Sequence, residues 1–161
     1  MSPSRPATLV TIAIALMTAA TAGLGAAVSG GSEDVWYFAL EKPGLTPPDI
    51  IFAIIWPILF VLMALGAILV RVEAGSFGAC SAALGLYFFQ LALNLSWSWL
   101  FFGFHEVLVS MVVLVALWLA IALMIRAFAR HSKAAAIMQI PYLLWISFAG
   151  YLNLSILLLN Q

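Results

Sequence analysis

Long apolar runs, separated by short segments that carry nearly all of the charge, divide the chain. Residues other than Asp, Glu, Lys and Arg form five runs: 6–32, 50–70, 74–105, 107–125 and 134–161. About 20 apolar residues cross a bilayer as a helix, and continuous rather than alternating apolarity favours helices over a β-barrel. The pattern therefore predicts an all-α membrane protein, a single domain (1–161) built as one bundle of five transmembrane helices. We place these spans at 7–28, 49–71, 78–103, 106–127 and 134–158.

The first run also allows another interpretation, as a secretory signal peptide. Arg5 precedes it, and the small residues Ala26 and Ala27 lie near its end. A signal peptide, however, has an apolar core of only about 7–15 residues. The run also contains small residues at four-residue spacing, a ridge that suits close helix packing in lipid: Ala15, Ala19, Gly23 and Ala27. We therefore favour a retained first span.

The connection between spans one and two, residues 29–48, is the longest in the chain and contains three prolines. Proline stiffens a loop because its ring fixes φ. Trp36 and Tyr37 suit a membrane interface, where an aromatic ring meets a wet edge. Two interpretations stay open: an aromatic belt on a rigid hairpin, or a proline-rich loop that caps a pocket between helix ends. Thr46 or Asp49 is expected to cap the second span.

Polar and aromatic residues share one face of span three. They recur at intervals of three and four residues: Tyr87, Gln90, Asn94, Trp97 and Ser98. Amides in hydrocarbon need hydrogen-bond partners, so this face should point inward. The spacing leaves open whether its amides join helices or orient a ligand. Trp99 lies about 200° around the helix from Trp97 and should face lipid or a partner.

Spans two and five carry similar stripes. Span two aligns Trp56, Phe60 and Met63, and span five aligns Tyr142, Trp145, Ala149 and Asn153. If these stripes converge with that of span three, they form an apolar pocket with a few orienting polar groups, the usual form of a small-molecule site. Flat indoles suit stacking on a flat conjugated ligand.

Composition narrows the class of protein. Hydrophobic residues make up 66% of the chain and charged residues 7%, and the mean hydropathy is +1.18; soluble domains have roughly 25% charged residues. Zero net charge gives no footprint for nucleic acid. A single cysteine, Cys80, and two distant histidines argue against a disulfide or a metal site. His105 could ligate a haem iron, although we favour a plain interfacial turn. Hydrolytic and phosphoryl-transfer chemistry lack the necessary residues.

Basic residues predict the orientation. One side of the bundle receives Arg5, Arg71, Arg126, Arg130 and Lys133, whereas the other receives only Lys42. The positive-inside rule then places the N-terminus of this multi-pass protein in the cytoplasm.

Three motifs carry a family resemblance: WYFALEKPGLTPP (36–48) with Trp56 eight residues on, GLYFFQLALNLSWSWLFFG (85–103) and PYLLWISFAGYLN (141–153). Together they resemble the tryptophan-rich sensory protein or translocator protein family, also called the peripheral benzodiazepine receptor family, over essentially the whole chain. The resemblance implies a five-helix bundle in a bacterial cell membrane, with the loop between helices one and two closing a pocket. It implies porphyrin or haem as ligand rather than as a required cofactor, lipid or sterol as further candidate partners, and a homodimer.

Matching motif positions extend the resemblance to residues. The implied ligand-binding positions are Tyr37, Pro47, Trp56, Phe60, Asn94, Trp97, Ser98, Trp145 and Ala149. Some bacterial members resemble photo-oxidative porphyrin degraders, and the catalytic pair would then be Trp56 and Trp145. Small residues that resemble the family's dimer seam are Gly78, Ala79, Ala82 and Ala83.

The sequence departs from the family pattern at two places. Leu45 stands where the family usually has a tryptophan, so the loop lacks one indole, and no basic residue follows Asn153, which weakens the case for sterol binding. We expect a tetrapyrrole-binding protein that senses or scavenges its ligand. A light- and oxygen-dependent porphyrin-degrading enzyme and a transporter of porphyrins, lipids or sterols are the alternatives.

Overall fold

The computed structural model describes residues 5–30 and 34–161, with side chains from residue 8 onward in the first segment. These residues are largely helical and form no strand. The helices are α1 (Arg5–Val28), α2 (Val35–Ala39), α3 (Asp49–Glu73), α4 (Phe77–Ser98), α5 (Val107–Ala129), α6 (Lys133–Ile137) and α7 (Ile140–Leu159), and a π-helical turn, Trp99–Gly103, continues α4. The side chain of Arg5, used above for the orientation, lies outside the described residues.

Five helical stretches are long and apolar enough to cross a membrane: Thr8–Val28, Asp49–Glu73, Phe77–Gly103, Val107–Ala129 and Lys133–Leu159. The predicted all-α fold with five spans is therefore confirmed, and each expected bound lies within two residues of the observed one. The last span is interrupted between α6 and α7. Pro141 explains the break because it has no N–H to bond the carbonyl of Ile137.

α4 lies at the centre of the bundle. It packs against α1, α3 and α5, while α5 also contacts α7 and α1 also contacts α3. Two buried polar pairs tie these neighbours together: the hydroxyls of Thr18 and Tyr87 lie 2.5 Å apart between α1 and α4, and Ser110 donates to Asn153 at 3.2 Å between α5 and α7. Large apolar side chains cover the outside of the bundle, as expected where lipid is the solvent.

α1 packs with a different face from the one that its small residues predicted. Ala15, Ala19, Gly23 and Ala27 are all exposed. The packed face instead carries Ile14, Thr18 and Thr21, which are at most 5% exposed. The hydrogen bond between Thr18 and Tyr87 helps to explain this choice, because a buried hydroxyl needs a partner that the ridge of alanines does not.

The connection between α1 and α3 is tied to the rest of the bundle at two points. The backbone N–H of Glu41 donates to Asn160 at the end of α7, and the Asn160 amide donates to the Glu41 carbonyl, both at 2.9 Å. The ring of Trp36 stacks on His105, with centroids 4.1 Å apart. We call this connection, residues 29–48, loop one. Its residues 31–33 lie outside the described part of the chain.

The expected side-chain cap of the second span is absent. Pro48 occupies the N-cap of α3 without a capping hydrogen bond, and Asp49 is already the first helical residue. The hydroxyl of Thr46 donates instead to the carbonyl of Pro43 at 2.8 Å. Within loop one, the side chain of Asp34 caps the short helix α2, because it accepts from the N–H groups of Trp36 and Tyr37.

Candidate ligand cavity

A cavity of about 630 Å³ lies between α1, α3 and α4 at the end that loop one covers. Small-molecule sites in proteins typically measure roughly 300–1,000 Å³. Its lining residues are Ala22, Gly25, Ala26, Ser29, Gly30, Tyr37, Asp49, Phe52, Ala53, Trp56, Pro57, Phe60, Asn94, Trp97, Ser98 and Phe102. We call it the indole cavity, because Trp56 and Trp97 both line it.

The aromatic wall of the indole cavity is continuous from α3 to α4. The rings of Trp56 and Trp97 have centroids 6.3 Å apart and planes inclined by 30°. Phe60 extends the wall beside Trp56 at 5.6 Å, and Phe102 meets Trp97 edge-on at 6.1 Å. Two nearly parallel indoles offer broad π-faces, the surface on which a flat conjugated molecule stacks.

The opposite wall consists of small residues from α1. It carries Ala22, Gly25, Ala26 and Ser29. A Cβ added at Gly25 would lie 3.5 Å from the hydroxyl of Ser98 on α4, in ordinary contact. The small side chains therefore leave the space that the aromatic wall faces. The sequence interpretation did not assign α1 to the site, because alanine and glycine carry no chemical signal of a pocket.

Few polar groups line the indole cavity, and the indole N–H beside it has no hydrogen-bond partner. The indole Nε1 of Trp97 is buried without a hydrogen bond, in a residue that is 8% exposed. Pro57 has no N–H, so the carbonyl of Ala53 also lacks its helical partner, and both residues lie on the lining. The carbonyl of Ala53 is thus an acceptor without its helical partner beside the cavity, whereas the Nε1 of Trp97 is enclosed by protein.

A buried hydrogen-bond chain lies behind the cavity. The Asn94 amide donates to the hydroxyl of Tyr142 at 2.9 Å, and that hydroxyl donates to Gln90 Oε1 at 3.0 Å. Both amides of α4 therefore bond to α7 through Tyr142. Gln90 is fully buried and joins helices, whereas Asn94 joins helices and also lines the cavity.

The loop-one end of the cavity holds its charged residue, Asp49. Burial, followed by the negative charge of Asp49, raises the pKa of Tyr37 above its ordinary value of 10. The ammonium of Lys42 lies 4.5 Å from the centre of the Tyr37 ring, within the range of a cation–π contact. One cation, one carboxylate and one neutral phenol thus surround this end.

The structure brings six of the nine ligand positions implied by the resemblance into one cavity: Tyr37, Trp56, Phe60, Asn94, Trp97 and Ser98. Pro47, Trp145 and Ala149 are not among its lining residues. The ring of Trp145 contacts that of Phe52, which is a lining residue, with ring centres 5.5 Å apart. Ala149 packs in the core of the bundle. Trp97 and Trp99 face different environments, as expected. Trp97, in α4, is 8% exposed, whereas Trp99, in the π-helical turn, is 40% exposed.

The remaining positions lie away from the cavity. Gly78, Ala79 and Ala82 are exposed on α4, whereas Ala83 is 2% exposed within the core of the same chain. His105 stacks on Trp36. No group of three or more His, Cys, Asp or Glu side chains that could hold a metal occurs in the described part of the chain.

Comparison with families of known proteins matches residues 10–159 to the TspO/MBR family. The tryptophan-rich protein TspO of Chlorobaculum tepidum is 44% identical over 128 residues, which cover 78% of this chain and 80% of that protein. Protein CrtK of Rhodobacter capsulatus is 35% identical over 154 residues, 94% of each chain. The translocator protein of Bos taurus is 39% identical over 131 residues, 81% of this chain and 78% of that protein.

Proposed function

Because the chain belongs to the TspO/MBR family of multi-pass membrane proteins, we propose that it binds a flat tetrapyrrole, protoporphyrin IX or haem, in the indole cavity. The pair of indoles on one wall is the observation that carries the proposal. Trp56 and Trp97 both line a cavity of about 630 Å³, and the planes of their rings are inclined to each other by 30°. Stacking on these faces would supply most of the affinity.

The polar groups of the cavity support a ligand that is mainly apolar. The hydroxyl-bearing Ser98 and the amide-bearing Asn94 are the polar residues that α4 contributes to the lining. Lys42 stands at the loop-one end beside Tyr37, where it would pair with a ligand carboxylate. Asp49 at the same end opposes an anion, so Lys42 would offset that repulsion rather than add a strong attraction.

We further propose that binding serves a sensory or scavenging role. A light-dependent degradation of the bound porphyrin is the second candidate, and the observation that favours it is the position of the Trp56 indole on the cavity wall. Trp145, the other indole of the expected catalytic pair, stands behind Phe52. A degrading reaction would therefore involve Trp56 more directly than Trp145.

Quenching of tryptophan fluorescence during titration with protoporphyrin IX tests the binding proposal in detergent micelles. Loss of a stacked indole is worth about 0.5–1.5 kcal/mol, so Trp56→Phe and Trp97→Phe should each weaken binding about two- to tenfold. Trp118→Phe is the matched control, because that indole is 39% exposed on α5 and bonds to Ser147. Wild-type affinity in the double variant Trp56→Phe/Trp97→Phe would contradict the proposal.

Two further measurements separate binding from its alternatives. Illumination of the complex in air should change the porphyrin absorption spectrum no more than it changes that of free protoporphyrin IX if the protein only binds, and should produce a new spectrum, dependent on Trp56, if it degrades its ligand. Flux of protoporphyrin IX into proteoliposomes above that of protein-free vesicles would indicate transport.

A further inference from the structure

Arg71, in the last turn of α3, is buried without a partner. The residue is 6% exposed, and its Nε is enclosed by protein without a hydrogen bond. Within residues 5–30 and 34–161 the structure gives Arg71 neither a hydrogen bond nor an ion pair. Near-complete burial of an unpaired guanidinium is unfavourable, because the charge loses water and gains no opposite charge in return, and only its Nε is fully enclosed, so the Nη groups stay accessible to a ligand. The position therefore calls for an anion from outside the fold.

The carboxylate nearest in sequence does not serve this purpose. Glu73 follows Arg71 by two residues, which turns its side chain about 200° around the helix. Its carboxylate also accepts a hydrogen bond from Ser132 at 3.1 Å. The first seven residues, whose side chains are not described, include no Asp or Glu. The chain thus provides no acidic residue that is placed to neutralise Arg71.

Three further basic residues lie at this end of the bundle among the described residues. We call the end of the bundle that carries the α3–α4 and α5–α6 turns the basic end. Arg126 lies in the last turn of α5, Arg130 caps that helix and Lys133 opens α6, and all three are exposed. This excess of positive charge attracts anions to the surface, while Arg71 is the buried member of the set.

The depth of Arg71 in the membrane indicates which anion it meets. α3 has 25 residues, about 37 Å at 1.5 Å per residue, and the hydrocarbon layer is about 30 Å thick. The ends of α3 therefore reach the headgroups, and Arg71 lies roughly 3 Å before its last residue.

We propose that Arg71 binds a phosphate group at the basic end, carried by an anionic phospholipid or free in solution. The planar guanidinium fork matches phosphate oxygens in pairs. Basic pockets between membrane helices take phosphate headgroups for the same reason. The site is separate from the indole cavity, at the opposite end of α3, so neither proposal depends on the other.

Thermal unfolding of the full chain in dodecyl maltoside tests the proposal with three additives: phosphatidylglycerol, dioleoylglycerol, which has the same tails and no phosphate, and inorganic phosphate at matched ionic strength. Arg71→Met removes the charge and keeps an unbranched side chain. Arg126→Met is the matched control, since it removes an exposed arginine from the same end. Native mass spectrometry counts the phosphatidylglycerol molecules that each variant retains.

We expect phosphatidylglycerol to raise the Tm of the wild type and of Arg126→Met, dioleoylglycerol to leave both unchanged, and Arg71→Met to lose the shift together with one retained lipid. An equal, Arg71-dependent shift with inorganic phosphate supports the site and identifies free phosphate as sufficient. The same phosphatidylglycerol shift in Arg71→Met as in the wild type overturns the proposal, as does the absence of any shift in the wild type with either phosphate source. If Arg71→Met does not fold, Arg71→Gln provides the same comparison.

Discussion

Removal of one hydroxyl, in Tyr142→Phe, should destabilise the bundle measurably. Tyr142 is 1% exposed, and its hydroxyl accepts from Asn94 at 2.9 Å and donates to Gln90 at 3.0 Å. The substitution keeps the ring and its packing but breaks both bonds between α4 and α7. Any loss of stability therefore reports the hydrogen bonds rather than a cavity in the core.

The number of hydrogen bonds broken sets the expected loss of stability. Hydrogen bonds between membrane helices average about 0.6 kcal/mol and reach about 1.7 kcal/mol, so two bonds amount to roughly 1.2–3.4 kcal/mol. Gln90 is fully enclosed and its Nε2 already lacks a partner, so the variant leaves its whole side-chain amide unpaired. Because Asn94 lines the indole cavity, we expect the loss of its hydrogen bond to cost less free energy than the loss at the enclosed Gln90. We expect a decrease of about 2 kcal/mol in the free energy of unfolding.

Equilibrium unfolding in mixed micelles of dodecyl maltoside and sodium dodecyl sulfate, followed by helical circular dichroism, measures this difference. Tyr151→Phe is the control, because Tyr151 is 43% exposed and forms no hydrogen bond in the described part of the chain. Gln90→Leu should reduce the cost of Tyr142→Phe, since replacing both partners by apolar groups is nearly neutral. A loss in Tyr142→Phe no larger than in Tyr151→Phe would refute the assignment of the buried chain.

Two other predictions follow from single positions. Gly66→Ala should lower the free energy of unfolding by about 1–3 kcal/mol, because the added Cβ would overlap the buried amide of Gln139. Gly150→Ala is the control and should not lower it, because its added Cβ would lie 3.7 Å from its nearest neighbour. Equal effects of the two substitutions would argue against this packing. In Asp49→Asn the pKa of Tyr37 should fall toward 10 but stay above it, because burial, the larger cause of the shift, remains. Titration of phenolate absorbance, with Tyr37→Phe as the blank, measures this pKa, and an unchanged value in Asp49→Asn would contradict the prediction.

The face of α4 could be predicted because its polar residues are strongly patterned. Gln90, Asn94 and Trp97 recur at helical spacing, and a hydrocarbon environment forces amides inward. The spacing could not distinguish their roles, however. The hydroxyl of Tyr142 accepts from Asn94 and donates to Gln90, and of these two amides only that of Asn94 belongs to a lining residue of the cavity. That information lies in how α7 and α4 pack, not in either segment.

Other parts of the site had no local signal at all. The wall from α1 consists of residues such as Gly25 and Ala26, and small residues of this kind are typical of helix–helix contacts in membranes rather than of a ligand site. The contact between Glu41 and Asn160 joins positions 119 residues apart. The indole of Trp145 shares the aromatic character of Trp56 and Trp97, yet Phe52 stands between it and the cavity. Sequence identifies which residue types can build such a pocket, whereas the packing of neighbouring helices selects among them.

The distribution of charge constrains how a ligand can be held. Of the five acidic residues that the structure describes, four lie in loop one, at the start of α3 or just before α5, at the end where the indole cavity lies. Among the described residues, Lys42 is the only Lys or Arg at that end of the bundle, so a ligand with two carboxylates gains little net attraction there. Affinity must then come from the indole faces, and the charge at the mouth orients the ligand rather than attracting it. The buried guanidinium of Arg71 stands at the other end of α3, so phosphate and a ring system would not compete for one site.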